Sequence, residues 1–404
     1  MGLERFRPTE NMNLHVREAI SGLGPAWLVM IADIDVASII TGLQAGASWG
    51  YHLIFVMLIL TIPLFLIQDA AGRLGTVGHV GLGEAIGRRY GRRTALVAAL
   101  PMAVTDFLEY VAEYAGIAIG LALLGLPIFI GLLVAYLVHL AIVVGREYRQ
   151  AEVVLLPVSF ALVLSLAASV LLFHVDLSQV AREGLSPLQP YGDPSFRYLA
   201  AASIGAVVMP WMLYFHSGAD SRKGLGVSNL RRERWTTLVS AVVSEVVMAA
   251  IVIVGMQLPA LGGSVGIESM SDVLAPIGPY AAILLGVGFI AAGFLALVVV
   301  SMGSAWGVME AVGTSSRRSF LAVYFAESSP ALVLVALTTS YVPLILELMV
   351  SFTIIIIPSL FFLGRLVSDP VTMRGRPFRR REMIAFWAAS VLVVGGGLLG
   401  ILTF

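Results

Sequence analysis

Eleven apolar runs, each close to the length that crosses a bilayer, constrain this chain more than any other feature of it. A membrane-spanning helix needs about 20 predominantly apolar residues. Such runs are read near 23–46, 51–70, 95–124, 127–145, 152–173, 198–217, 235–259, 275–301, 319–338, 342–364 and 382–403. They do not alternate between apolar and polar residues as the strands of a membrane barrel would. Backbone groups in lipid must bond within their own segment, so continuous apolar runs imply helices. The shortage of charge points the same way. The chain is 58% hydrophobic and 12% charged, against about 25% charged in soluble domains. The expected class is an all-α membrane protein of about eleven transmembrane helices, organised as one transmembrane domain over 1–404. The longest polar stretches, 174–197, 218–234 and 365–381, are too short to build a core of their own. The zero net charge makes no case for nucleic-acid binding, and the absence of cysteine excludes disulfides and thiolate metal sites.

The basic residues set the orientation. With the N-terminus inside, the tail holds Arg5, Arg7 and Arg17, and the second inner loop holds Arg73, Arg88, Arg89, Arg92 and Arg93. Arg146 and Arg149 follow, then Arg222, Lys223, Arg231, Arg232 and Arg234, then Arg317 and Arg318. The last inner loop holds Arg365, Arg374, Arg376, Arg379, Arg380 and Arg381, so only Arg182 and Arg197 fall outside. This is the positive-inside pattern, and it predicts a cytoplasmic N-terminus and an external C-terminus. It also makes the basic clusters topology determinants rather than phosphate sites. Met1–Val16 is polar and mixed in charge, so no signal peptide is expected there. Short loops and no signal suggest a prokaryotic plasma membrane.

An ionisable side chain at mid-membrane costs at least ~2.5–3.5 kcal/mol, so each one is a functional candidate. The first span carries Asp33 and Asp35, followed by Ser38 and Thr41. Residues i and i+2 point to opposite sides of a regular helix, so the two aspartates converge only if the helix unwinds. The third span carries Asp106, Glu109 and Glu113, whose spacings of 3 and 4 put them on one face. A row of carboxylates is what a proton relay needs. A solvated Asp106 beside an aqueous crevice is the competing reading. In the sixth span, Pro210 removes an amide donor one turn after Gly205. The break frees backbone carbonyls that can ligate a cation. Met209 beside it offers a soft thioether, and His216 a group that moves protons near neutral pH. His139, Glu245 and Glu347 lie inside other spans. Glu245 and Glu347 suit an aqueous path, His139 a helix–helix contact.

The polar centres of spans one and six lie near 35 and 209, five spans apart. That spacing predicts a LeuT-like 5+5 inverted repeat with broken helices 1 and 6 and a substrate site between them. The first repeat would cover about 22–173, the second about 198–364, with an extra helix at about 382–403.

At these residues the chain resembles the NRAMP family of proton-coupled divalent-metal transporters. The family's D-P-G-N motif and the following Q-A-G-A-x-F-G-Y correspond to Asp35-Val36-Ala37-Ser38 and to Gln44 through Tyr51. Arg73-Leu74-Gly75 and Leu82-Gly83-Glu84-Ala85 resemble its next loop, and Arg317-Arg318 a basic pair before span nine. Glu113 through Leu121 is similar to E-F-L-G-x-A-I-G-L. Ala206 through Pro210 and Leu213 through Ser217 are similar to A-x-x-M-P-H-N-L-Y-x-H-S. The resemblance runs from about residue 22 to 364. It implies that Asp35, the Ala206 carbonyl and the Met209 sulfur ligate a metal, with Ser38 in place of an asparagine. It links Glu113 and His216 to the proton route. The chain departs at Val36 and Ala37, at Trp211 and Met212 (the family's His-Asn), and in the added carboxylate Asp33.

The expected function is a secondary transporter of a divalent cation. Met209 favours a manganese- or iron-like ion, while Asp33 and Ser38 add oxygen ligands that suit Mg²⁺. The metal and the proton are substrates, the bilayer is the surrounding partner, and no cofactor is expected. The alternative is a LeuT-type transporter of a small organic solute. No H-E-x-x-H, G-x-S-x-G or cysteine nucleophile supports an enzyme.

Overall fold

The computed structural model describes residues 24–145, 148–173, 175–258, 278–337 and 342–402. Arg5, Arg7, Arg17 and Arg146 of the orientation argument lie outside the described residues. Among the described residues there is no strand. The helices are α1 (Gly24–Ala32), α2 (Val36–Trp49), α3 (His52–Arg73), α4 (Leu82–Tyr90), α5 (Arg92–Leu123), α6 (Ile128–Gly145) and α7 (Tyr148–Val170). They continue as α8 (Pro194–Val207), α9 (Pro210–Lys223), α10 (Leu230–Gly255), α11 (Pro279–Val312), α12 (Arg317–Leu337), α13 (Val342–Ile355), α14 (Ile357–Val367) and α15 (Arg380–Ile401). Nine helical segments among the described residues are long and apolar enough to cross a membrane. The bent pair α1–α2 makes a tenth, and the shorter apolar helix Ile128–Val144 corresponds to the fourth expected span. Large apolar side chains such as Phe129, Leu164 and Val391 stand exposed on the outer helices. A surface of that kind is stable against lipid.

Two breaks organise the interior. The first span divides into α1 and α2, which meet at 49°. No proline or glycine stands at this break, so something else must satisfy the new helix start. Asp35 does so as N-cap, with φ −82° and ψ 179°, its Oδ1 accepting from the Ser38 amide at 2.7 Å. Glu113 Oε2 on α5 accepts from the Val36 amide at 3.3 Å. Side chains thus replace the missing breakers. The sixth span breaks at Val208 and Met209, both non-helical, and Pro210 opens α9 at its first turn.

Some boundaries differ from the sequence reading. The eighth span is α11, which runs eleven residues past its expected end at 301 to Val312. The loop after α3 holds a π-helical turn, Leu74–Gly78, and α4. The α4 start is held on the basic side, where Leu82 N donates to Ser217 Oγ at 3.0 Å. There several arginines at helix ends are engaged: Arg222 with Glu310 at 2.9 Å, Arg73 with Glu382 at 2.8 Å, and Arg234 with Asp69 at 3.6 Å. The Arg222 guanidinium also lies 4.2 Å from the Trp306 ring centre. A cavity of about 900 Å³ opens beside them, lined in part by Tyr148, Arg222, Trp306 and Glu310.

The break in the first span is packed tightly against α5. A Cβ added to Gly116 would lie 2.1 Å from Val36 Cγ2. Gly116→Ala is therefore expected to destabilise the protein by about 1–3 kcal/mol. The check is the thermal melting midpoint of the whole chain in detergent; a midpoint equal to wild type would contradict this packing.

Candidate metal centre

The unwound stretch 33–35 sends its two aspartates to different neighbours. Asp35 turns toward α5, where it joins Glu109 and Glu113; one carboxylate oxygen from each of the three lies within 4.8 Å of the others. All three are buried. Asp33 is not part of this group, and its carboxyl feels the like charges of Glu245 on α10 and of Asp35. Asp33 and Glu245 are buried, and Asp33 Oδ1 and the two Glu245 oxygens meet no hydrogen-bond donor. Glu347 is exposed and takes no part in either group, and His139 packs buried among Tyr114, Tyr136 and Tyr324.

Within the trio, one oxygen of each carboxylate is satisfied and one is not. Asp35 Oδ1 caps α2, Glu113 Oε2 accepts from Val36, and Glu109 Oε1 accepts from the Trp211 indole N–H at 3.2 Å. Asp35 Oδ2, Glu113 Oε1 and Glu109 Oε2 meet no other donor group, and the Asp35 and Glu109 carboxyls stand close enough to share a proton. Three carboxylates this close and this dry need compensation by a cation or by protons. The second break supplies neutral donors beside them. Ser38 Oγ donates to the Ala206 carbonyl at 3.2 Å and so ties α2 to the end of α8. Met209 is buried at the start of α9, its amide donating to Met212 Sδ at 3.4 Å. The chain therefore brings Asp35, Ser38, Ala206 and Met209 to the two breaks, with Glu109 and Glu113 alongside.

Asp106 is buried, which removes the solvated-crevice reading. It lies on the Glu109 face and interacts with Glu327 of α12. Glu327 accepts from Tyr110 at 3.3 Å and from Ser304 at 3.2 Å. His216 stands in another group, with Asp220 of α9 and Glu233 of α10.

Four of these residues escaped the sequence reading. Glu327 is a lone carboxylate within an apolar span, the same signal that singled out Asp35. Asp220 and Glu233 fall in 218–234, which reads as a loop because the polar run hides the last turns of α9 and the first of α10. Trp211 reads as bulk, whereas its N–H is a donor to Glu109.

The pattern that defines the Nramp family, described as natural resistance-associated macrophage protein-like, matches residues 26–403. The chain belongs to the Nramp family. Its relatives include a divalent metal cation transporter MntH of Verminephrobacter eiseniae, 28% identical over 334 residues, covering 77% of this chain and 72% of that one. MntH of Mycobacterium tuberculosis is 28% identical over 389 residues, covering 92% and 89%. The Eremococcus coleocola manganese transporter, solved with an aromatic bis-isothiourea compound, superposes with a TM-score of 0.77 at 19% identity, over 99% of this chain and 89% of that one. MhsT, solved with L-phenylalanine, superposes with a TM-score of 0.61 at 12% identity over all of both chains. The fold is thus the LeuT-like bundle with broken first and sixth helices.

Within the Nramp pattern the departures have local explanations. Val36 and Ala37 break the helix through side-chain caps, and Trp211 keeps an N–H donor where the family carries His. Ser38→Ala removes the hydroxyl link between the two breaks. Loss of one buried hydrogen bond predicts a destabilisation of about 1 kcal/mol. Calorimetric melting of the purified variant checks this, and wild-type stability would mean that the link contributes nothing.

Proposed function

We propose that this Nramp chain is a secondary transporter of a divalent transition metal ion, Mn²⁺ or Fe²⁺, coupled to protons. The observation that carries the reading is the group of three buried carboxylates of Asp35, Glu109 and Glu113 beside the helix breaks, with one oxygen of each meeting no other donor group. Such a site attracts cations and repels the carboxylate of an amino acid. That sign argues against the organic-solute alternative, which the shared fold with MhsT leaves open. The relatives' names, divalent metal cation transporter and manganese transporter, support the same cargo.

In this proposal Asp35, the Ser38 hydroxyl, the Ala206 carbonyl and the Met209 thioether hold the ion. Oxygen donors alone would suit Mg²⁺, and the thioether tilts the preference toward softer ions. Glu109 and Glu113 carry protons when the metal is absent, because their oxygens otherwise face Asp35 uncompensated. From them a row through Asp106 to Glu327 leads toward the basic side, with Tyr110 and Ser304 bonded to its last carboxylate. Alternating access then follows from rocking about the breaks: α2 and α9 change angle while the Asp35 cap and the Pro210 helix start keep the site intact. The orientation, N-terminus inside and C-terminus outside, rests on the arginine pattern.

Mn²⁺ uptake into proteoliposomes tests this. Wild type is expected to take up Mn²⁺, faster with the outside acidic, and Asp35→Ala to fall to background. Met209→Ala is expected to keep uptake but lose roughly 10-fold of its preference for Mn²⁺ over Mg²⁺, equivalent to about 1.4 kcal/mol. Folded wild type that moves neither ion sinks the proposal.

A further inference from the structure

The sixth span carries a second buried cluster beyond its break. His216, Asp220 and Glu233 each offer a ligand atom, all within 4.8 Å of one another and all buried. His216 Nε2 lies 3.4 Å from Glu233 Oε1 and 3.8 Å from Asp220 Oδ2. Donor atoms on an ion bonded at about 2.1 Å sit roughly 3–4 Å apart, so the two histidine–carboxylate separations fall in the range of a coordination shell.

Two further observations point to a ligand. Both Asp220 carboxylate oxygens lack a hydrogen-bond partner although the residue is fully buried. The histidine is also held in place: His216 Nδ1 lies 3.0 Å from Gln68 Oε1, which fixes the ring with Nε2 toward the two carboxylates. Nε2 and the two carboxylates thus face one another, and a cation or a proton between them balances the cluster. A partner on the far ring nitrogen is the usual support of a metal-bound histidine. The backbone leaves room as well. A Cβ on Gly72 would fall 2.7 Å from His216 Nε2 and 3.4 Å from Asp220 Oδ2, so glycine keeps the space beside these two atoms open. The neighbouring cations pair with other carboxylates as well, Lys223 with Glu152 at 2.6 Å and Arg234 with Asp69 at 3.6 Å, while Lys223 also acts on Asp220 through space.

We propose that His216, Asp220 and Glu233 form a second divalent-cation site, oriented by Gln68 and lying on the basic side of the broken helices. One imidazole and two carboxylates suit borderline transition ions such as Mn²⁺, Fe²⁺ and Zn²⁺ better than Mg²⁺ or Ca²⁺. The site deepens the transport reading, on which its role as a waypoint for the cargo rests; binding itself stands on the cluster's own geometry.

The test is Mn²⁺ titration of the whole protein in nanodiscs, followed by electron paramagnetic resonance with detection of imidazole ¹⁴N coupling. The proposed central site contains no histidine, so nitrogen coupling reports the second site alone. Wild type is expected to bind two Mn²⁺, one of them nitrogen-coupled. Asp35→Asn should retain the nitrogen-coupled ion, and Asp220→Asn or Glu233→Gln should lose it. Gln68→Ala should weaken it by about 10–100-fold. Bound Mn²⁺ without nitrogen coupling in wild type and in Asp35→Asn overturns the proposal and leaves the cluster to a proton. Nitrogen coupling with a stoichiometry unchanged by Asp35→Asn keeps the second site and overturns the central one.

Discussion

A carboxylate capping a helix start in the middle of a membrane protein is the contact on which this architecture turns. Asp35 Oδ1 satisfies the Ser38 amide, and Glu113 Oε2 the Val36 amide, at a place where water is scarce. Without those acceptors the amides of α2 would be orphaned, at a cost of about 1–3 kcal/mol each. The same capping commits one oxygen of each carboxylate and leaves the other facing the neighbouring acids. Local structure and charge imbalance therefore have one origin. The residues that allow the helix to break are those that create the demand for a cation or for protons.

The rest of the bundle protects that arrangement. Gly116 lets α5 approach close enough for Glu113 to reach Val36. Ser38 ties the first break to the second through the Ala206 carbonyl, so the two discontinuities are held in register. Trp211 fills the space beside Glu109 and also donates to it. On the basic side, α4, Glu310 and Arg222 bind the end of α9 to α11, where a cavity opens.

Much of the fold was legible because lipid imposes strong rules. Apolar runs of fixed length, an arginine pattern that alternates by loop and a polar centre every fifth span leave few architectures to choose from. The break at Pro210 follows from the amide that proline lacks. The break at Asp35 was visible only as two carboxylates in an apolar run, since its caps come from residues distant in sequence. Proximity in space was the hidden part. Nothing in the spacing separates Asp33, which stays outside the carboxylate trio, from Asp35, which joins Glu109 and Glu113. Asp220 and Glu233 were masked because a polar run at a helix end reads as loop, and Trp211 because its bulk is more conspicuous than its N–H. His216 could be seen as titratable, but its partners could not.

The central claim is that one cation replaces protons among Asp35, Glu109 and Glu113. Calorimetry of Mn²⁺ binding in buffers of different ionisation enthalpy measures the protons exchanged per ion bound. The account predicts net proton release on binding, reduced by Glu109→Gln and by Glu113→Gln in otherwise folded protein. Mn²⁺ binding without proton release, unchanged in those variants, would contradict it.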